Sequence, residues 1–204
     1  MEILNFVTGP LENNVYLVYN EISKDCFLVD AAKNSFEVIM NRIDDLELNL
    51  KAVLLTHGHF DHIADVKKFQ NRGAKIYLHE KDIDLVNEPG PMAKMCGVEV
   101  EKFFPDIVIS NECTLKIIGY NIKVLYTPGH TQGGVIYILD NIMFSGDTIF
   151  RGSIGRFDFP ESDYNDIIKS VKRVLSMEGD YIILPGHGSS TTLDLERKIN
   201  VVNE

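Results

Sequence analysis

A chain of 204 residues with 45% apolar content is long enough to close a core and short enough to form one domain, here taken as residues 1–204. Thirty acidic against 20 basic residues give a formal charge of −10, and no basic run offsets it, which argues against nucleic acid as a partner. Cys26, Cys96 and Cys113 form no CxxC pair, no stretch is apolar enough to span a membrane, and Met1-Glu2-Ile3-Leu4 lacks signal-peptide features, so a cytoplasmic protein with free thiols and no membrane partner is expected.

Residues 2–8, 14–19 and 26–30 alternate or run apolar between Gly9-Pro10 and a polar stretch at 20–25, and predict three strands. Phe36, Ile39, Met40, Ile43 and Leu46 fall at helical spacing and predict a helix over 34–46. A strand over 51–55, a helix over 62–71 stopped by Gly73, a strand over 75–78 and a helix over 79–87 follow. Residues 88–105 hold Pro89, Gly90, Pro91, Gly97 and Pro105 and read as irregular, either a lid carrying Met92, Met95, Phe103 and Phe104 or a surface connection. The second half repeats the pattern, with strands over 114–118, 122–126, 135–139, 141–144 and 181–184 and helices over 163–177 and 193–201. Strands then helix, twice over, predict an α/β fold of two sheets packed face to face with helices outside.

The chemistry is concentrated where strands end. Thr56-His57-Gly58-His59-Phe60-Asp61-His62 places three of the six histidines and an aspartate on a loop directly after an apolar strand. Imidazole and carboxylate are the usual protein ligands of divalent ions, and Gly58 is read as giving the backbone room to turn. Three more strand ends each carry a glycine and one ligand type: Pro128-Gly129-His130, Gly146-Asp147 and Pro185-Gly186-His187. Seven such ligands exceed one tetrahedral site and suit two ions sharing a carboxylate. Asp30 closes the third strand and is read either as orienting a ligand histidine from outside or as a simple cap. His79 lacks a glycine turn and is read as structural.

Together THxHxDH, PGH, GD and PGH resemble the metallo-β-lactamase superfamily, whose fold is a four-layer αβ/βα sandwich. The resemblance implies that His57, His59 and His130 hold one metal and that Asp61, His62 and His187 hold the other. Asp147 and a hydroxide would bridge them, with Asp61 and Asp147 the catalytic carboxylates. Zinc is the first expectation for the two divalent ions, with iron or manganese as alternatives. Asp147 stands where zinc β-lactamases commonly carry a cysteine, and residues 148–160 are similar to short, single-domain glyoxalase II-like hydrolases. The implied activity is hydrolysis of a hydroxyacyl thioester, such as lactoyl-glutathione, as the small-molecule partner. The protein is expected to be a single domain without the C-terminal helical domain with which typical glyoxalase II enzymes grip glutathione. Arg151 and Arg156 are then the candidate substrate contacts, with pairing of Arg156 to Asp158 or Glu161 as the alternative. A mononuclear-iron persulfide dioxygenase, suggested by Gly155 to Asp158, is the second reading; a lactonase and a non-catalytic metal-binding module follow. The sequence carries no signal for an oligomeric state.

Overall fold

The computed structural model describes residues 1–203. The first sheet runs β1 (Glu2–Thr8), β2 (Asn13–Tyr19), β3 (Asp25–Val29), β4 (Asn49–Leu54), β5 (Lys75–His79) and β6 (Ile107–Ile109), in sequence order. Its first two pairings are antiparallel; β3 to β6 are parallel, with α1 (Ser35–Asp45) connecting β3 to β4. The second sheet is built from β7 (Cys113–Ile117), β8 (Tyr120–Tyr126), β9 (Val135–Leu139), β10 (Ile142–Gly146), β13 (Ile182–Pro185) and β14 (Thr191–Thr192), in the order β14-β13-β10-β9-β8-β7. A small hairpin, β11 (Ile149–Phe150) with β12 (Ser153–Ile154), projects from the end of β10.

The period-two alternation of strands sorts side chains into three apolar layers. Tyr16, Val18, Phe27 and Leu54 point between the sheets, against Val124, Tyr137 and Phe144 of the second sheet. Their neighbours Val15, Leu17, Leu28 and Val53 point the other way, onto Ile39 and Ile43 of α1 and onto Val66 and Phe69 of α3 (Val66–Asn71). On the far side, Ile136, Met143 and Ile183 meet Ile167, Val171 and Val174 of α6 (Tyr164–Leu175) and Leu193 of α7 (Leu193–Ile199). Helix, sheet, sheet and helix are therefore four layers, as expected. Each fully buried Val, Ile or Phe contributes about 1.5–3 kcal/mol, so the three stripes dominate the fold. Among the described residues no helix is long and apolar enough to cross a membrane, and Cys26, Cys96 and Cys113 are unpaired.

The structure differs from expectation in four places. The helix expected over 62–71 is split into α2 (Phe60–Ile63) and α3, because Asp65 donates its amide to Ala31 O while Ala31 donates to His62 O. Those two bonds tie the start of the helix to the loop after β3. The helix expected over 79–87 opens with a 3₁₀ turn at Glu80–Asp82 and continues as α4 (Ile83–Asn87). The segment expected to be irregular contains α5 (Gly90–Met95), in which Pro91 occupies the first turn, where its missing N–H costs nothing. The short strands β6, β11, β12 and β14 were not expected; two or three residues carry no readable period.

Candidate metal centre

All four ligand loops leave the carboxyl ends of their strands at one edge of the sandwich. β4 delivers the 55–62 loop, β8 delivers Thr127 to Thr131, β10 delivers Asp147 and β13 delivers His187. Three sets of donors converge there: His57, His59 and His130; Asp61, His62 and His187; and His57, His62 and Asp147. Within each set the donor atoms lie within 4.8 Å of one another. The seven residues expected from the sequence are thus brought together. His79 stays apart, buried and stacked on Tyr126 with centroids 4.7 Å apart.

The histidine rings are oriented from outside. His130 Nδ1 faces the carbonyl of Arg156 at 2.8 Å, and His187 Nδ1 faces that of Leu11 at 2.9 Å. A carbonyl only accepts, so both nitrogens carry hydrogen and both Nε2 atoms carry a lone pair. His62 Nδ1 donates to Asp30 Oδ2 at 2.8 Å, and His59 Nε2 donates to Glu161 Oε1 at 2.8 Å. Thr56 gives its hydroxyl proton to Asp30 Oδ2 at 2.9 Å and therefore accepts from His57 Nδ1 at 3.0 Å. Five lone pairs consequently point inward. His59 Nδ1 and His130 Nε2 are 2.8 Å apart, and His62 Nε2 and His187 Nε2 are 3.2 Å apart, separations at which bare nitrogens repel unless a proton or a metal cation lies between them. His57 Nε2 and Asp147 Oδ1 are buried without a hydrogen-bond partner. Nitrogen and carboxylate donors, inward lone pairs and two orphaned buried atoms fit divalent metal ions.

Taken as protein groups alone, the donors titrate far apart. Burial and the surrounding imidazoles push His57 well below its ordinary range. His130, buried and facing His59 and His62 in spite of Asp147, falls to about 4. Burial would also depress His62, but Asp147, Asp61 and Asp30 lift it to about 10. Burial alone would raise Asp61; His62, a hydrogen bond from His187 in its protonated form and one from Asn13 hold it well below the usual carboxylate range.

Packing beneath the loops explains their glycines. Gly58 does not adopt a left-handed turn; a Cβ there would meet Asp82 O at 2.8 Å, so close approach, rather than freedom to turn, requires glycine. A Cβ at Gly186 would strike Asp147 Oδ1 and come within 2.6 Å of His62 Cε1.

Three contributors to the centre were not read as such in the sequence, Glu161 being weighed there only as a partner of Arg156. Glu161 holds His59 across 102 positions. Asn13 donates to Asp61 Oδ2 at 2.8 Å. Buried Asp82 accepts from Gly58 N at 2.8 Å, Thr131 Oγ1 at 2.7 Å and Gly133 N at 2.6 Å, joining the first metal loop to the His130 loop. Each is a lone polar residue far from its partner, so no local spacing marks it.

A cleft of about 670 Å³ opens over His59, Asp61, His130, Asp147 and His187. Met92 and the start of α5 line it, as a lid would; Phe103 is instead buried in the core and Phe104 is exposed. Arg156 reaches the cleft, but its guanidinium makes two 2.9 Å bonds to Asp158, the alternative weighed above. Arg151 is exposed and does not line the cleft.

The family model of the metallo-beta-lactamase superfamily matches residues 8–187. The chain belongs to that superfamily. It is 37% identical over 196 residues to hydroxyacylglutathione hydrolase GloC of Haemophilus influenzae, covering 93% of this chain and 92% of the relative. Among solved members of the superfamily, the B3 metallo-beta-lactamase BLEG-1 superposes with a TM-score of 0.90 at 30% identity, over 98% of both chains. The di-iron-bound form of TTHA1623 superposes with a TM-score of 0.85 at 34% identity, over 97% of this chain and 98% of the other. These likenesses place the glycine-flanked strand ends within a metallo-beta-lactamase α/β sandwich whose donors are suited to divalent metal.

Proposed function

We propose that the protein is a dinuclear metal-dependent hydrolase that cleaves hydroxyacyl thioesters of glutathione or a related thiol. The observation that carries this is the pair of donor sets flanking Asp147, with every histidine already oriented by an outer acceptor. A single tetrahedral ion would leave three of these seven donors without a partner. The similarity to a hydroxyacylglutathione hydrolase supports the thioester, and the di-iron form of TTHA1623 supports two ions.

Two divalent ions held there, zinc first and iron or manganese as alternatives, would bring the pKa of bound water toward neutrality and polarise a carbonyl. Asp61 and Asp147 offset part of the added charge, and Asn13 and Asp30 keep Asp61 and His62 from rotating. A thiolate leaves with a pKa near ~8.5, so no general acid is required, and the cleft contains no uncommitted histidine to act as one.

The persulfide dioxygenase stays the second reading, and the likeness to a B3 metallo-beta-lactamase adds β-lactam hydrolysis as a further one, against which Asp147 stands where zinc β-lactamases commonly carry a cysteine. Metal content of the purified protein, anaerobic assays on lactoyl-glutathione and a β-lactam, and oxygen uptake with glutathione persulfide test these readings. Two equivalents and thioester cleavage without oxygen are expected. One equivalent of iron, with oxygen consumed only alongside glutathione persulfide, would overturn the hydrolase in favour of a dioxygenase.

A further inference from the structure

Resting on the hydrolase reading above, we propose that the cleft selects thioesters of an uncharged, largely apolar thiol over those of glutathione. Three observations point there. Beyond the metal donors the wall is largely apolar and includes Leu11, Phe60, Leu85, Met92, Phe150 and Phe159. Its carboxylates outside the metal donors are Glu88 and the His59-bound Glu161, and no lysine reaches it. Its one guanidinium, Arg156, lies 4.5 Å over the Phe159 ring and gives Nε and Nη2 to the two Asp158 oxygens at 2.9 Å each.

The charge balance follows from these contacts. Acylated glutathione keeps two carboxylates and one ammonium, a net charge of −1. Entering this cleft beside the metal ions, which the donors and the thioester carbonyl occupy, it would meet Glu88 and Glu161 with no lysine or free guanidinium to compensate, because the Arg156 fork is already filled on both tines. Freeing that fork means breaking a bidentate, charge-assisted pair. An apolar thiol meets no such repulsion and removes the aromatic and aliphatic wall from water. Glu161 cannot turn away, since its carboxylate is held by His59 Nε2 at 2.8 Å.

The test uses metal-loaded, full-length protein and one acyl group on two thiols: S-lactoyl-N-acetylcysteamine and S-lactoylglutathione. A kcat/KM about ten-fold or more higher for the uncharged thiol is expected, the scale of one or two uncompensated like-charge contacts. Equal or greater efficiency with glutathione overturns the inference. Calorimetry with the non-hydrolysable thioethers S-hexyl-N-acetylcysteamine and S-hexylglutathione separates this inference from the hydrolase reading. If neither thioester is cleaved but the uncharged thioether binds tighter, the selectivity stands and the hydrolase falls. If S-hexylglutathione binds tighter, the selectivity falls whatever is cleaved. Asp158→Asn, which releases Arg156, should tighten S-hexylglutathione several-fold and leave the uncharged thioether unchanged. No change for either ligand overturns the part assigned to the Arg156–Asp158 pair.

Discussion

His59 Nε2 sits 2.8 Å from Glu161 Oε1, while the opposite nitrogen of the same ring sits 2.8 Å from His130 Nε2. The carboxylate fixes the hydrogen on the outer nitrogen, which leaves the inner one free to bind a cation. His59 is the one histidine of the site arranged to present Nδ1 inward, and Glu161 is the reason. Replacing Glu161 with Ala should therefore weaken the His57–His59–His130 site by roughly 10–100-fold in metal affinity. Glu161→Gln, which keeps an acceptor oxygen, should lose less. Competitive metal titration reads this directly; equal affinities in all three proteins would reduce Glu161 to a piece of cleft wall.

How much of this was legible beforehand follows from distance along the chain. His57, His59, Asp61 and His62 are local, and the three other ligand loops repeat a strand, a glycine and one donor, so spacing alone reveals them. Glu161, Asn13 and Asp82 act across 102, 48 and 24 or more positions, where a single acid or amide resembles any surface residue. The two sheets were readable from alternation, whereas α5 was hidden because Gly90 and Pro91 signal a break as readily as a helix start. The Arg156 side chain faced two plausible partners in sequence, and only its placement beside Asp158 decided between them.

Asp30 links the fold to the site. It sits in the left-handed region at φ 62°, which aspartate and asparagine tolerate, and accepts from Thr56 N at 2.8 Å, Thr56 Oγ1 at 2.9 Å and His62 Nδ1 at 2.8 Å. Asp30→Ala should be strongly destabilising, because each buried donor left unpaired costs about 1–3 kcal/mol. Asp30→Asn keeps the backbone conformation but presents an NH₂ group to donors. It should fold and yet lose metal at the His62 site, since His62 would be driven to the wrong tautomer. Thermal melts and metal content separate the two variants; an Asn variant with full metal content would make Asp30 a cap alone.

Metal removal should expose the titration of the site as a stability profile. In the chelated protein His62 has a pKa of about 10, above its ordinary 6.5, so its stabilisation is full below 6.5 and is lost as pH climbs through 10. His130 at about 4 lies below its ordinary 6.5, so its contribution is present above 6.5 and is lost as pH falls through 4. Chelated protein should be most stable near pH 6.5 and weaker at both pH 5 and pH 9 in urea melts. Metal affinity should rise with pH through the neutral range, because binding displaces the His62 proton. Stability that climbs steadily from pH 5 to pH 9 would show that the carboxylates do not hold a proton on His62.

Asp147 faces both donor sets. Its Oδ1 lies 3.4 Å from His62 Nε2, and its Oδ2 lies 3.5 Å from His130 Nε2 and 3.6 Å from His187 Nε2. A carboxylate so placed should serve both sites, whereas His187 belongs to one. Asp147→Ala should then lower the affinity of both metal equivalents together and cut turnover by more than the roughly 10–100-fold typical of losing an outer partner. His187→Ala should weaken one equivalent and spare the other, because His57, His59 and His130 remain intact. Metal titration of the two variants beside the parent protein distinguishes these patterns. If Asp147→Ala loses a single equivalent while His187→Ala loses both, the bridge has been assigned to the wrong side chain.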